Sequence, residues 1–267
     1  MDKRFQCVAC GRCCHGWLPL TLNDALAHAA RFPLALVWTP VPKDARTFAL
    51  TARLGISLRL RNRKQIAALI TPTAYLPPSF PCPELTAEGQ CAIHAHKPSR
   101  CRTMPFYPYR DERDQADLLA PRKDWLCDMS AAAPVVYRHR AIVERTDFDC
   151  ERGELLEQAP TMRAYAEYVL KYMPWIVDSL GAVAQKPGGH VITSLSSFVT
   201  AIKRIDPAAI AAQQLPVLKA YAARTADDAQ LLEYQRNYAG WATEMEYLAR
   251  PGNNPQQFIS TNPGGNG

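Results

Sequence analysis

Apolar residues change their rhythm along this chain. Thr21-Leu22-Asn23-Asp24 reads as a capped helix start, with Leu22, Ala25, Leu26 and Ala29 forming the apolar side behind it. Between residues 47 and 60 the pattern alternates better than it cycles. Phe48, Leu50, Ile56, Leu58 and Leu60 therefore predict a hairpin around Gly55. From Pro72 to Pro83 repeated prolines break regular structure, and a loop is expected there. After about residue 150 the period becomes helical: Met162, Tyr165, Val169, Met173, Ile176, Val177 and Leu180 fall three and four apart. Further helices are expected around 191–205 and around 226–250, the latter carrying Leu231, Tyr234, Tyr238, Trp241, Met245 and Leu248. A stripe of Met and aromatic residues at this spacing reads as core packing. The tail from Pro251 to Gly267 is rich in Pro, Gly, Asn and Gln and reads as disordered. The pattern predicts an α+β chain, mostly helical. A loop-rich cysteine domain occupies 1–150, a C-terminal helical bundle 151–250 and a disordered tail 251–267.

Composition changes this picture little. The 267 residues are 48% hydrophobic and 21% charged, which is ordinary globular composition. The start, Met1 to Cys7, carries no apolar leader segment. No apolar run approaches the roughly 18 residues that a membrane helix requires. A cytoplasmic protein with no membrane contact is expected. The formal charge of +6 invites a nucleic-acid reading. Eight thiolates on two divalent ions would bring it to about +2. The basic residues are also scattered, Arg59-Leu60-Arg61-Asn62-Arg63-Lys64 being the densest run, so solvated faces are the expectation rather than a nucleic-acid stripe.

The cysteines change the picture most. All nine lie between Cys7 and Cys150. In a reducing compartment such clustering points to metal or redox chemistry rather than disulfides. Cys7, Cys10, Cys13 and Cys14 fall within eight residues, and Gly11 suits the turn because it takes positive φ without a steric penalty. Two residues between cysteines let a tight turn aim both sulfurs at one ion, in zinc ribbons and iron–sulfur sites alike. Cys13 and Cys14 are adjacent, and adjacent side chains tend to diverge, so they are expected to serve different metal positions or one is a spectator. Cys82, Cys91, Cys101 and Cys127 bring the set to eight, enough for two four-sulfur sites or for one cluster and a second site. Cys7, Cys10 and Cys13 have the spacing that opens a ferredoxin ligand run, with Cys82-Pro83 as a candidate remote ligand. Cys150 is left over and reads as a small buried hydrophobe. Soft thiolates suit both Zn²⁺ and iron–sulfur. Arg12, Arg100 and Arg102 beside them favour an iron–sulfur cluster, 4Fe-4S by preference, with Zn²⁺ or an iron ion as the alternatives. His15, His94 and His96 flank the cysteines and are candidate ligands or hydrogen-bond donors to them.

These residues resemble the YkgJ-type cysteine-cluster family, a zinc- or iron-chelating domain that opens with Cys-x-x-Cys-x-x-Cys-Cys. The matching positions are Cys7, Cys10, Cys13 and Cys14; Cys82-Pro83-Glu84-Leu85; Gly89, Cys91 and Ile93; and Pro98, Cys101, Arg102, Pro105 and Phe106. The resemblance covers roughly residues 5–130. His94 stands where the family pattern has tyrosine, Lys97 where it has arginine and Met104 where it has phenylalanine, and none of these removes a sulfur. A related group, the flagellin lysine N-methylases, has a similar cysteine set, and the likeness implies an iron–sulfur cluster used with S-adenosylmethionine.

The chain carries no P-loop, dinucleotide glycine turn, serine nucleophile elbow or His-Glu-x-x-His. Three functions fit. A metal-binding protein with a redox or accessory role is the leading expectation. A cluster-dependent modifying enzyme such as a lysine N-methylase, its helical half gripping a protein partner, is the second. A structural zinc protein whose function lies in the helical half is the third.

Overall fold

The computed structural model describes residues 2–120 and 125–250. In chain order the elements are β1 (Lys3–Arg4), β2 (Leu18–Pro19), α1 (Leu22–Ala27), β3 (Leu34–Pro42), α2 (Phe48–Leu54), β4 (Ile56–Arg59), β5 (Gln65–Ala74), α3 (Ser99–Thr103), β6 (Val135–Arg138), β7 (Ala141–Ile142), α4 (Thr146–Tyr172), α5 (Trp175–Val183), β8 (Val191–Ser194), α6 (Leu195–Ala201), α7 (Pro207–Arg224) and α8 (Leu232–Ala249). The fold is α+β, with helix outweighing strand.

β3 and β5 form the spine. They pair antiparallel from Leu34↔Ala74 to Pro42↔Ile66. The other edge of β5 takes β2 at one end and β4 at the other. The other edge of β3 takes β8. Leu34, Leu36 and Trp38 of β3 share a face with Ile66, Ile70 and Ala74 of β5, as the two-residue strand period requires. Helices from the second half of the chain cover that face, contributing Met162, Tyr165, Phe198, Leu218, Tyr238 and Met245 to one continuous core. Several buried polar groups inside it are paired. Trp38 Nε1 donates to Thr193 Oγ1 at 3.0 Å, and Tyr165 OH bonds both Thr193 and Ser197. Gln214 of α7 is fully buried, accepting from the Leu34 amide at 3.0 Å and donating to the Phe32 carbonyl at 2.8 Å. A smaller three-stranded sheet, β1-β6-β7, packs Tyr137 and Ile142 with Phe106, Leu119 and Phe148.

Several expected elements form as the pattern predicts. Thr21 caps α1, its hydroxyl accepting from the Asp24 amide at 3.2 Å. Met162, Tyr165, Val169, Ile176 and Leu180 are all buried, although Met173-Pro174 divides their helix into α4 and α5.

Others differ. The hairpin expected around Gly55 is a helix followed by a strand, α2 and β4. Thr51 and Leu54 are the buried residues of α2, three apart, and alternating burial begins only at Ile56. The loop expected from Pro72 starts later, because β5 runs through Pro72 to Ala74. The helix expected over 191–205 begins as a strand, β8, since Val191–Ser194 complete the edge of β3 before α6 starts. The helical half is not a free-standing bundle. α4 begins at Thr146, β8 lies in the main sheet, and the core spans both sides of the expected boundary at residue 150. The tail over 251–267 lies outside the described residues.

The short helix α3, which carries Cys101, is fastened to α1 and α4. The Ser99 amide donates to Asp24 at 2.8 Å, and Ser99 Oγ donates to Glu154 at 2.8 Å. Beside it Arg100 Nη1 meets Glu151 Oε1 at 3.4 Å, with 2% and 0% of the two residues exposed. A buried ion pair of this kind resists loss of one partner far more than replacement of both.

Two outcomes are expected. Glu151→Ala leaves the Arg100 charge buried and unpaired, destabilising the protein by about 3–5 kcal/mol in urea unfolding. Arg100→Met with Glu151→Leu should recover most of that loss. At Gly55 a Cβ would sit 2.1 Å from the Ala68 carbonyl oxygen. Gly55→Ala must therefore push β5 aside, costing about 1–3 kcal/mol in thermal unfolding; a wild-type melting curve would show that the strand yields freely.

Candidate metal centre

The cysteines arrive on loops and one helix, and a few backbone contacts decide which of them meet. Gln6 pairs with Asp128 through both amides, which sets Cys7 beside Cys127. The Cys82 amide donates to the Cys14 carbonyl at 2.8 Å, setting the end of the first cysteine knot against the proline-rich loop. That loop turns back on itself through the Leu85↔Cys91 bridge. Gly11 packs into the same turn with φ +69°, where a Cβ would come within 3.0 Å of Leu85 and 3.2 Å of the Gly89 carbonyl. Glycine at this point supplies both the positive φ and the missing side chain that close approach requires.

Electrostatic influence among the thiols follows these contacts. Cys14 feels Cys82, Cys91 and Cys101. Cys101 in turn feels Cys82 and Cys91, and more weakly Cys13. Cys127 feels Cys10, Cys7 and Cys13. Cys13 thus reaches Cys101 and Cys14 as well as Cys127. The Cys13 thiol donates to Cys14, which raises the first and lowers the second.

Cys7 and Cys13 are exposed, with exposed Val8 and Leu126 beside Cys7 and Cys127. Cys10, Cys14, Cys82, Cys91, Cys101 and Cys127 are half-buried, and Cys82 packs against the main core. Burial pushes Cys82 up to about 11 and, with its thiol neighbours, Cys101 up to about 12, while the Arg100 charge pulls Cys101 back. Half-buried thiols that raise one another in this way do not ionise together unless a cation joins them.

Backbone donors favour the sulfurs. In Cys7-Val8-Ala9 the Ala9 amide donates to Cys7 Sγ at 3.4 Å, Ala9 having positive φ. In Cys82-Pro83-Glu84 the Glu84 amide likewise bonds the Cys82 sulfur and lowers it against the burial effect. An amide donor two residues on stabilises a thiolate, and hydrogen bonds to sulfur tune such centres. As the side chains stand, no three His, Cys, Asp or Glu groups among the described residues are close enough together to hold an ion. The fit is one of donor chemistry: soft thiols on segments that meet at the margin of the core, two of them with an amide donor.

The remaining candidates are placed as follows. His15, His94 and His96 are exposed, the last two on a short 3-10 turn. Cys150, expected to be buried, is exposed on α4 with its thiol 3.9 Å from Glu154, because it follows the buried Phe148 by two positions and turns outward. Arg100 and Arg102 are committed to Glu151 and Asp147, yet the Arg100 charge still reaches Cys101. Lys97, noted in the sequence only as a departure from the family pattern, acts on Cys13. A cavity of about 310 Å³ opens on the second face of the main sheet, lined by Trp17, Val37, Thr71, Tyr109 and His190 among others and by no cysteine. No long apolar helix able to cross a membrane occurs among the described residues. Compared with known proteins, the chain matches no family model, no curated protein and no solved structure.

Proposed function

We propose that this is a metal-binding protein with a redox or accessory role, holding an iron–sulfur cluster, or zinc or iron ions, on Cys7, Cys10, Cys13, Cys14, Cys82, Cys91, Cys101 and Cys127. The observation that carries the reading is that backbone hydrogen bonds bring cysteine-bearing segments from separate stretches of chain together, Gln6 with Asp128 and Cys82 with Cys14. A core has no packing reason to collect small thiols beside one another at its margin, where each raises the cost of ionising the next. A thiophilic cation removes that cost by binding the thiolates and releasing their protons. The amides of Ala9 and Glu84, directed at Cys7 and Cys82, supply hydrogen bonds that metal-bound sulfur uses. The resemblance to the YkgJ-type family supports the same ligand set.

Within this reading the chain's own residues have separable tasks. Gly11 and Gly89 shape the turns that bring Cys10 to the proline-rich loop. Arg100 and Lys97 offset the negative charge that bound thiolates leave. Glu151 holds Arg100 in place. Bound iron–sulfur would supply one-electron chemistry, whereas zinc would supply a fixed, redox-silent crosslink.

Anaerobic purification, elemental analysis and a visible spectrum test the proposal. Iron with sulfide and a broad band near roughly 400 nm identifies a cluster. Stoichiometric zinc in a colourless protein identifies thiolate zinc, and protein free of either metal after anaerobic reconstitution overturns the reading. Cys10→Ser and Cys101→Ser should each lower metal content. Cys150→Ser should leave it unchanged, and loss of metal there would show that the ligand set is wrongly chosen.

A further inference from the structure

We propose that one end of the main sheet, carrying Lys43, Arg46, Arg59, Arg61, Arg63 and Lys64, is a docking surface for the phosphate backbone of a nucleic-acid duplex. The proposal is independent of the metal-binding reading and uses none of its residues.

Charge is unevenly spread along the chain. Between Asp24 and Glu84 the sequence holds eight Lys and Arg residues and one acid, Asp44. The formal charge of +6 thus resides in this stretch, and the remainder of the chain is close to neutral. Along the sequence Lys43 and Arg46 stand apart from the run at Arg59–Lys64, which by itself reads as a solvated face. The strand register removes that separation. Pro42, which ends β3, faces Ile66, and Arg59, which ends β4, faces Gln65, the first residue of β5. Lys43 and Arg59 therefore flank the start of β5 at the same end of the sheet, each about one strand spacing of ~4.8 Å away. Arg46 follows in the turn that leaves β3.

The tip joining β4 to β5 is held by its own backbone. The Leu60 amide donates to the Lys64 carbonyl at 2.8 Å, the Arg63 amide to the Leu60 carbonyl at 2.9 Å, and the Lys64 amide to Asn62 Oδ1 at 3.1 Å. Leu60 is buried and anchors the tip, while Arg61, Asn62, Arg63 and Lys64 are exposed. Lys43, Arg46 and Arg59 are exposed as well. Among the described residues only Arg61 of the six cations pairs with an acid, Asp178 at 2.8 Å, and an exposed pair of this kind holds its partners weakly. Like charges gathered in this way repel one another, and a polyanion relieves that repulsion.

The surroundings favour a duplex over other polyanions. No exposed large apolar side chain lies among these cations, so an acidic protein would find no apolar centre of the kind on which a stable interface depends. Nor does an exposed aromatic ring offer a platform for unstacked bases. What remains is a rigid, arginine-rich edge, and guanidinium groups suit phosphate oxygens. Contacts of this type position a duplex without reading its sequence.

The test titrates the full-length protein into fluorescein-labelled DNA and RNA duplexes of one mixed sequence, with binding read by anisotropy. Neutralising about four phosphates gives a slope of about −3.6 in log affinity against log salt, a loss of roughly a hundredfold between about 50 and 200 mM. Binding to either duplex with that slope supports the proposal, and the stronger of the two identifies the source of the phosphates. The triple variant Arg59→Glu, Arg63→Glu, Lys64→Glu should weaken binding at least about tenfold and flatten the slope by about 2 to 3. The pair Lys43→Gln with Arg46→Gln should act in the same direction, and it decides alone if the triple variant does not fold. A control triple, Lys186→Glu, Lys203→Glu, Arg236→Glu, changes the net charge equally at exposed positions elsewhere and should keep the wild-type affinity within about twofold. Equal weakening in the control would show that net charge alone drives binding and would overturn the assignment of a surface. Absence of duplex binding at low salt, or tighter binding to polyglutamate or to phosphatidylserine vesicles than to either duplex, would overturn the assignment of the partner.

Discussion

The nine-residue pairing of β3 with β5 is the constraint on which the rest of the structure depends. It presents one apolar face that a short α+β segment cannot cover by itself. The cover comes from α4 to α8, and the open edge of β3 is closed by β8 from the same distant stretch. An uncovered face with Trp38, Ile70 and Leu36 on it would leave large side chains in water, and each such side chain stabilises the fold by about 1.5–3 kcal/mol when buried. The second half of the chain is therefore part of the same core as the first. Gln214 shows how tight that dependence is, since a helix formed late in the chain satisfies the backbone at the entrance of β3.

The cysteines stand at the margin of this core rather than within it. Their segments carry little regular structure, and they are held by a few backbone hydrogen bonds, two glycines of positive φ and the fastening of α3 to α4. Burial alone would keep these thiols protonated, as Cys82 and Cys101 show. Amide donors and the Arg100 charge work in the other direction. The balance is that of a site arranged for thiolates but lacking enough positive charge of its own, which a soft cation supplies. The buried Arg100–Glu151 pair has a comparable position: it adds nothing apolar to the core, yet it sets α3 and so the place of Cys101.

Some of this is legible in the residues. The cap at Thr21 and the helical periodicity of 162–180 are local signals, and they hold because local hydrogen bonding and one apolar face decide them. The helix α7 is not among the elements that the apolar pattern predicts, although Asp206-Pro207 is a cap and first-turn signature. Asp206 does cap it, accepting from the amides of Ala208 and Ala209. Residues 48–60 and 191–194 mislead because short apolar runs fit helix and strand alike, and only a partner strand decides between them. For Val191–Ser194 that partner lies about a hundred and fifty residues earlier, in β3.

By itself the sequence determined that nine cysteines crowd the first part of the chain, that the spacing at Cys7, Cys10 and Cys13 suits a shared ion, and that the later part is mainly helical. Each follows from neighbours along the chain, where turn geometry and helical period act over a few residues. Only the tertiary structure decided that Gln6 pairs with Asp128 beside Cys7 and Cys127, that the Cys82 amide meets the Cys14 carbonyl, and that Cys150 faces outward. Those outcomes depend on which loops a common core brings together. Residues far apart in the chain become neighbours through the apolar surfaces and buried charges that hold their segments, and these cannot be read from the spacing of the cysteines.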